Sequence, residues 1–164
     1  MSANNSDDRD GNVATQLHAR RRAAMAVLAK AARADIARGL AQVSHDIAFT
    51  DARPAEIGLV MLRGRIGGGG APFNVGEATV TRAAVQLDSG ETGFGYVFGR
   101  DPEKARLAAL CDALWQNDAR RQPVEDHIIA PLRQQQQERR ALAQAQTAAT
   151  RVDFFTLVRG EDER

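Results

Sequence analysis

Apolar and polar positions along the chain change period twice, dividing it into a helical, a sheet and a second helical part. Residues Met1 to about Val13 carry no periodicity, so a disordered leader over 1–13 is expected. From near Thr15, Leu17, Met25, Leu28 and Ala32 recur at helical spacing, and Arg20 to Arg22 fall largely on the solvent side. A second short helix sets Ile36, Leu40 and Val43 on one face. Gly39 inside it costs about 1 kcal/mol against alanine.

From about Ile47 the pattern is that of strands. Ile57 to Leu62 is apolar on both faces, as in a central buried strand, and continues into Arg63, Gly64, Arg65 and Ile66. Gly67 to Gly70 break the pattern. Glu77 to Leu87 then predicts a long strand, with Thr79, Thr81, Ala83, Val85 and Leu87 on one side. Ser89 and Gly90 suit a two-residue hairpin loop returning into Thr92 to Gly99, where Phe94, Tyr96 and Phe98 share a face.

The last part is helical again. Asp101 and Pro102 make a helix start, Asp as N-cap and Pro at the first position. Leu107, Leu110, Cys111, Leu114 and Trp115 trace one apolar stripe behind it. Pro123 opens another helical stretch through Ile128 and Ile129, which Pro131 is expected to interrupt. Beyond it, QQQQERRALAQAQTAAT has strong helix formers and few apolar anchors, as in a helix that leans on a partner. Val152 to Val158 reads as a strand or extended arm. The expected fold class is α+β: an antiparallel β-meander flanked by N- and C-terminal helices, with a C-terminal strand-like arm. One domain spans 14–160, its helix and docking arm occupying about 132–160, and 161–164 form a flexible tail.

Composition qualifies this picture. A chain of 164 residues is long enough for one real core. Hydrophobic residues make up 43%, but Leu, Ile, Val and Phe together reach only about a fifth, so the self-made core is thin. A net charge of +1 offers no global attraction to nucleic acid or an anionic membrane. Cys111 stands alone, which excludes an internal disulfide and fits a reducing compartment. The N-terminus lacks a signal-peptide pattern, and no apolar run approaches the roughly 18 residues of a membrane span. A soluble, cytoplasmic protein is expected, with burial completed against partners.

Candidate chemistry is sparse. Gly67, Gly68, Gly69 and Gly70 invite a phosphate-loop reading through their bare N–H groups. No Gly-Lys-Ser/Thr follows, and a strand comes next, so a turn is favoured. Ser44, His45 and Asp46 have the letters of a triad, but neighbours in sequence cannot take its geometry. His18, His45 and His127 are scattered, so no metal site is assigned. Cys111 lies on the apolar stripe and reads as an inert core thiol. Arg63 and Arg65 on one strand, Arg82 on the next and Arg100 closing the hairpin carry forks suited to phosphate and phosphonate oxygens. With the glycine run and Asn74 they form a candidate anion-binding set; ion pairing at a subunit interface is the favoured alternative. Phe154, Phe155 and Arg159 of the tail are candidate partner-docking residues. No catalytic residue is assigned.

Five segments carry a resemblance. EIGLVMLRGRIGGGGAPFNVGEATVTRAAVQL, GYVFGRD, ALCDALWQ, IIAPL and RVDFFTLVRG run in order from about Glu56 to Gly160 and resemble the PhnG family, a subunit of the bacterial carbon–phosphorus lyase system. Singly, GGxG or GRD would be weak; the ordered set is specific, and the N-terminal helices match only in character. The resemblance implies a role in organic phosphonate catabolism. There PhnG, PhnH and PhnI proteins, helped by PhnL, replace the adenine of ATP with a phosphonate to give α-D-ribose 1-methylphosphonate 5-triphosphate. It also implies a hetero-oligomeric core complex with PhnH-, PhnI- and PhnJ-like partners, PhnL and PhnK as further candidates, and room for self-association. ATP would be a substrate of the complex, with no cofactor bound by this chain. A structural or allosteric subunit is expected. Direct participation in phosphonate or nucleotide binding, or a free-standing anion-binding module, are the alternatives.

Overall fold

The computed structural model describes residues 7–43, 47–67 and 69–150. Two helices, α1 (Asp7–Lys30) and α2 (Arg33–Val43), precede three strands, β1 (Phe49–Arg65), β2 (Pro72–Leu87) and β3 (Thr92–Phe98). Helices α3 (Pro102–Gln116), α4 (Asp118–Val124) and α5 (Ala130–Ala149) follow, with a π-helical turn at Glu125–Ile129 between the last two. The α+β meander of the sequence reading is present: the sheet is antiparallel in the order β1-β2-β3.

The core forms where α3 lies on one face of β2 and β3. Alternation along β3 puts Gly93, Gly95 and Val97 toward the helix, in register with Val85, Ala83 and Thr81 of β2. A Cβ at Gly95 would collide with the carbonyl oxygen of Ala105, and one at Gly93 with the backbone of Ala109 and Ala113. Helix and strand therefore touch backbone to backbone, which only glycine facing alanine permits. Gly39 of α2 serves a similar contact, since a Cβ there would lie 2.9 Å from Cγ1 of Ile128. The helices close over α3, leaving Cys111, Ala113, Leu114 and Trp115 fully or almost fully buried. The Trp115 indole N–H donates to Oε1 of Glu125 at 2.9 Å, and the Arg121 guanidinium stacks 5.1 Å from the ring.

Several boundaries depart from expectation. Helix α1 starts at Asp7, not near Thr15. Its inward face runs through Ala24, Val27 and Leu28, with Ala31 buried just past its end and Leu17 half-buried. Arg21 lies on that stripe, not on the solvent side, because a carboxylate awaits it. The loop between β2 and β3 holds four residues, Asp88 to Glu91, not two. Leu87 N–H donates to Glu91 O and Gly90 N–H to Leu87 O, and Gly90 takes φ +105°. Pro131 does not interrupt the last helix. The π-turn, in which Ala130 N–H reaches back to Glu125 O, widens the helix where the proline ring must fit. The Asp101 cap is as expected, its carboxylate accepting from Lys104 N–H at 3.0 Å.

The largest correction concerns β1. It is an edge strand, not a central buried one, and Ile57, Leu59, Met61 and Leu62 are exposed. Helix α3 covers only the β3 end of the sheet, so nothing in the chain's described residues packs over the far half of the β1–β2 ribbon. Helix α5 likewise outruns the body: Leu132 is its buried residue, Gln136 donates to Val27 O, and 137–150 are exposed. The C-terminal arm with Phe154, Phe155 and Arg159, and the 161–164 tail, lie outside the described residues, as do 1–6 of the leader.

We expect Gly95→Ala to destabilise the chain by at least about 3 kcal/mol through overpacking against a helix backbone. Gly58→Ala, where a Cβ meets nothing within 4 Å, should stay within about 0.5 kcal/mol of the parent in urea denaturation.

Candidate functional site: an open apolar sheet

The residues with unfilled chemistry lie on the sheet. On the face away from α3, Phe94, Tyr96 and Phe98 are half or more exposed, Phe98 at 70%. They stand in register with Ala84, Arg82 and Val80 of β2. Arg82 donates to Oε2 of Glu56 directly across the ladder at 3.3 Å, and Arg53 lies 3.4 Å from the same oxygen. An aromatic ridge thus runs beside a three-residue ion cluster that is open to water.

The ribbon beyond this point is apolar on both faces. Ile57, Leu59 and Met61 pair with Thr81, Thr79 and Glu77 and follow the α3 side past the reach of the helix. Leu59 is 64% exposed. Val60 and Leu62 lie on the opposite face with Ala78 and Gly76, and Phe73 and Val75 near the ribbon tip are also exposed. Contiguous apolar surface on this scale marks an interaction site.

The sequence-derived anion candidates are not gathered into one place. The register shift at Leu62/Arg63 puts the extra residue, Val75, on β2. β1 therefore alternates normally, and Arg63 and Arg65 share the Ile57 face, while Arg82 is on the other. Eight residues of β2 separate Asn74, opposite Arg63, from Arg82, roughly 26 Å of strand. Arg65 donates to Gly70 O at 3.2 Å and helps close the turn. Arg63 and Arg100 make no hydrogen bond or ion pair with a described residue. Gly67 takes φ +64° in the turn that joins β1 to β2, and a Cβ at Gly70 would strike Ile66 O. Gly68 lies outside the described residues. A strand follows this turn, so no helix N-terminus adds its dipole to an anion there.

The sequence reading missed a cluster on the other side of the sheet. Asp112, 2% exposed, sits between α1, α3 and β3. Arg21 grips it with two bonds, Nε to Oδ1 at 2.9 Å and Nη2 to Oδ2 at 2.7 Å. Phe94 N–H donates to Oδ2 at 2.9 Å, and Gln116 Nε2 bonds Thr92 O at 2.7 Å. The Asp112 hydrogen bonds raise the Arg21 pKa above its ordinary value against the opposing effect of burial. The signal was available: an Asp inside the apolar run ALCDALW needs a buried cation. An adjoining cleft of about 180 Å³ is lined by Leu17, His18, Arg21, Trp115, Gln116 and Arg121. Both its arginines are committed, Arg121 to the Trp115 and Gln116 carbonyls.

Among the described residues no cluster of three metal-ligating side chains forms. Ser44, His45 and Asp46 lie outside them. Cys111 is fully buried, and burial, with the neighbouring Asp112 charge, pushes its thiol far above the usual range. No helix of the described residues is long and apolar enough to cross a membrane.

The family model for phosphonate metabolism protein PhnG matches residues 19–160. The chain belongs to the PhnG family. A relative from Rhizobium meliloti (strain 1021), the alpha-D-ribose 1-methylphosphonate 5-triphosphate synthase subunit PhnG, is 48% identical over 145 residues, covering 88% of this chain and 92% of its own. The matched span of the PhnG model includes both the Asp112 cluster and the open ribbon.

Two outcomes are expected. Asp112→Ala removes the acceptor of Arg21 and of Phe94 N–H and should cost about 1–3 kcal/mol in urea denaturation. Cys111 should resist maleimide at pH 8 in the native protein and react once the chain is unfolded, as mass spectrometry of the adduct would report.

Proposed function

We propose that this chain is a non-catalytic subunit of an assembly that makes α-D-ribose 1-methylphosphonate 5-triphosphate from ATP and methylphosphonate, releasing adenine, in organic phosphonate catabolism. The observation that carries the reading is the open sheet: an aromatic ridge and a ribbon apolar on both faces, on a chain of the PhnG family. The name of the Rhizobium meliloti relative, a synthase subunit, supports it. PhnH-, PhnI- and PhnJ-like chains are the proposed partners, with PhnL and PhnK as further candidates. ATP is a substrate of the complex, and this chain holds none of the reacting groups. The cytoplasm is the proposed location, where ATP is at hand.

The role is structural. Surfaces that would otherwise meet water are covered by subunits that carry the chemistry, and their active-site loops are held in place by that contact. The Arg53–Glu56–Arg82 cluster fits this role. Arg82 already has a carboxylate and is not free to take a phosphate without breaking that pair.

Co-expression with and without the partner chains tests the proposal. The chain should co-purify with them in fixed ratio, and synthase activity should appear only in the assembly. A soluble, active monomer would overturn the reading. Within the assembly, Arg82→Ala should leave the KM for ATP unchanged. A raised KM with assembly intact would instead assign Arg82 to the nucleotide.

A further inference from the structure

The two edges of the sheet are finished differently. At the Thr92–Phe94 part of β3, two outward backbone groups are taken up by α3: Asp112 accepts Phe94 N–H and Gln116 donates to Thr92 O. That part of the edge is closed to a further strand. At β1 the protection stops halfway. Pro54 and two register shifts between Thr50 and Glu56 break the first part of the strand, devices that discourage pairing. From Glu56 to Leu62 the ladder to β2 is regular, with no proline, no lysine and no bulge on β1. Over that stretch Ile57, Leu59, Met61 and Leu62 are exposed. An edge that is apolar, regular and unshielded is a template for a strand.

We propose that the free edge of β1 from Glu56 to Leu62 takes an extended segment of another subunit as a fourth strand. This rests on the subunit reading above and adds the mode of docking. The incoming segment is apolar where it flanks Ile57, Leu59 and Met61 and acidic where it passes Arg63 and Arg65. Arg63 has no partner among the described residues, and Arg65 bonds only a turn carbonyl, so both guanidinium groups stand open to carboxylates. Backbone bonds supply the affinity and the side-chain alternation supplies the specificity, as in other strand additions.

A second copy of this chain fits the edge poorly. In a two-fold antiparallel pairing, facing residues share a face. Glu56 lies on the opposite face from Arg63 and Arg65, so no register of self-pairing sets it against either. Arg53 does share the Glu56 face, but meeting it would centre the pairing on the broken half of the strand and leave Ile57 to Leu62 uncovered. The charge pattern asks for a different chain.

Residue-resolved amide exchange on the co-purified assembly tests this. A fourth strand makes every amide from Ile57 to Leu62 slow, whereas a bare edge alternates slow amides facing β2 with fast ones facing out. Continuous protection, with Arg63→Glu and Leu59→Lys each weakening retention about tenfold or more and Arg63→Lys retaining it, is the expected result. Alternating protection in an intact assembly overturns the edge proposal and leaves the subunit reading standing. Failure to co-purify at all overturns the subunit reading itself. Cross-links from residues 56–62 to a second copy, or to residues 151–164 of this chain, would overturn the choice of occupant. Leu59 and Arg63 are exposed, so their substitution leaves the fold intact, and unchanged retention of both variants would also count against the edge.

Discussion

Backbone contact between β3 and α3 is the constraint from which the rest of the molecule follows. With Gly93 and Gly95 pressed against Ala105, Ala109 and Ala113, that face of β3 has no room for side chains at those two positions. Alternation then sends the three aromatic residues of the strand to the other side. Phe94, Tyr96 and Phe98 are exposed because the glycines between them are buried. A strand built on the ordinary plan, with its aromatics in the core, would hold α3 about one side chain farther away. The open aromatic ridge and the tight helix contact are therefore one feature seen from two sides.

So close an approach leaves the outer edge of β3 beside the flank of α3, and its polar groups need partners there. Asp112 and Gln116 supply them. A buried carboxylate is costly in isolation, and Arg21 offsets that cost with a two-bond grip from α1. One side chain thus joins the first helix, the third helix and the last strand. A hydrophobic residue at 112 could fill the space but would leave Phe94 N–H without a partner.

Much of this was legible in the residues. The helix start at Asp101, the strand spacing of Thr79 to Leu87, the shared face of Phe94, Tyr96 and Phe98, and the family all follow from local pattern. What failed did so for a common reason: period reports which residues share a face, not which face is covered. Ile57 to Leu62 has the pattern of a buried strand because it is made to be buried, yet this chain does not bury it. Arg21 looked solvated because its carboxylate is 91 residues away in sequence. Pro131 looked like a stop because the π-turn before it leaves no mark in composition. The candidate arginines looked like one set because strand position was visible and the pairing of Arg82 with Glu56, which sets Arg82 on the face opposite Arg63, was not.

The same distinction explains why the thin core suffices. Residues around α3 close a small, well-filled body out of alanine, glycine and a few large side chains, and the remaining apolar side chains go to the ribbon and ridge. Near neutrality removes the defence such a surface usually has. With a net charge of +1 and an isoelectric point near 8.0, repulsion between copies is weak, and exposed apolar strands associate readily under those conditions. The arginines at the ribbon end oppose self-pairing only locally. Charge therefore gives this edge little protection of its own against association.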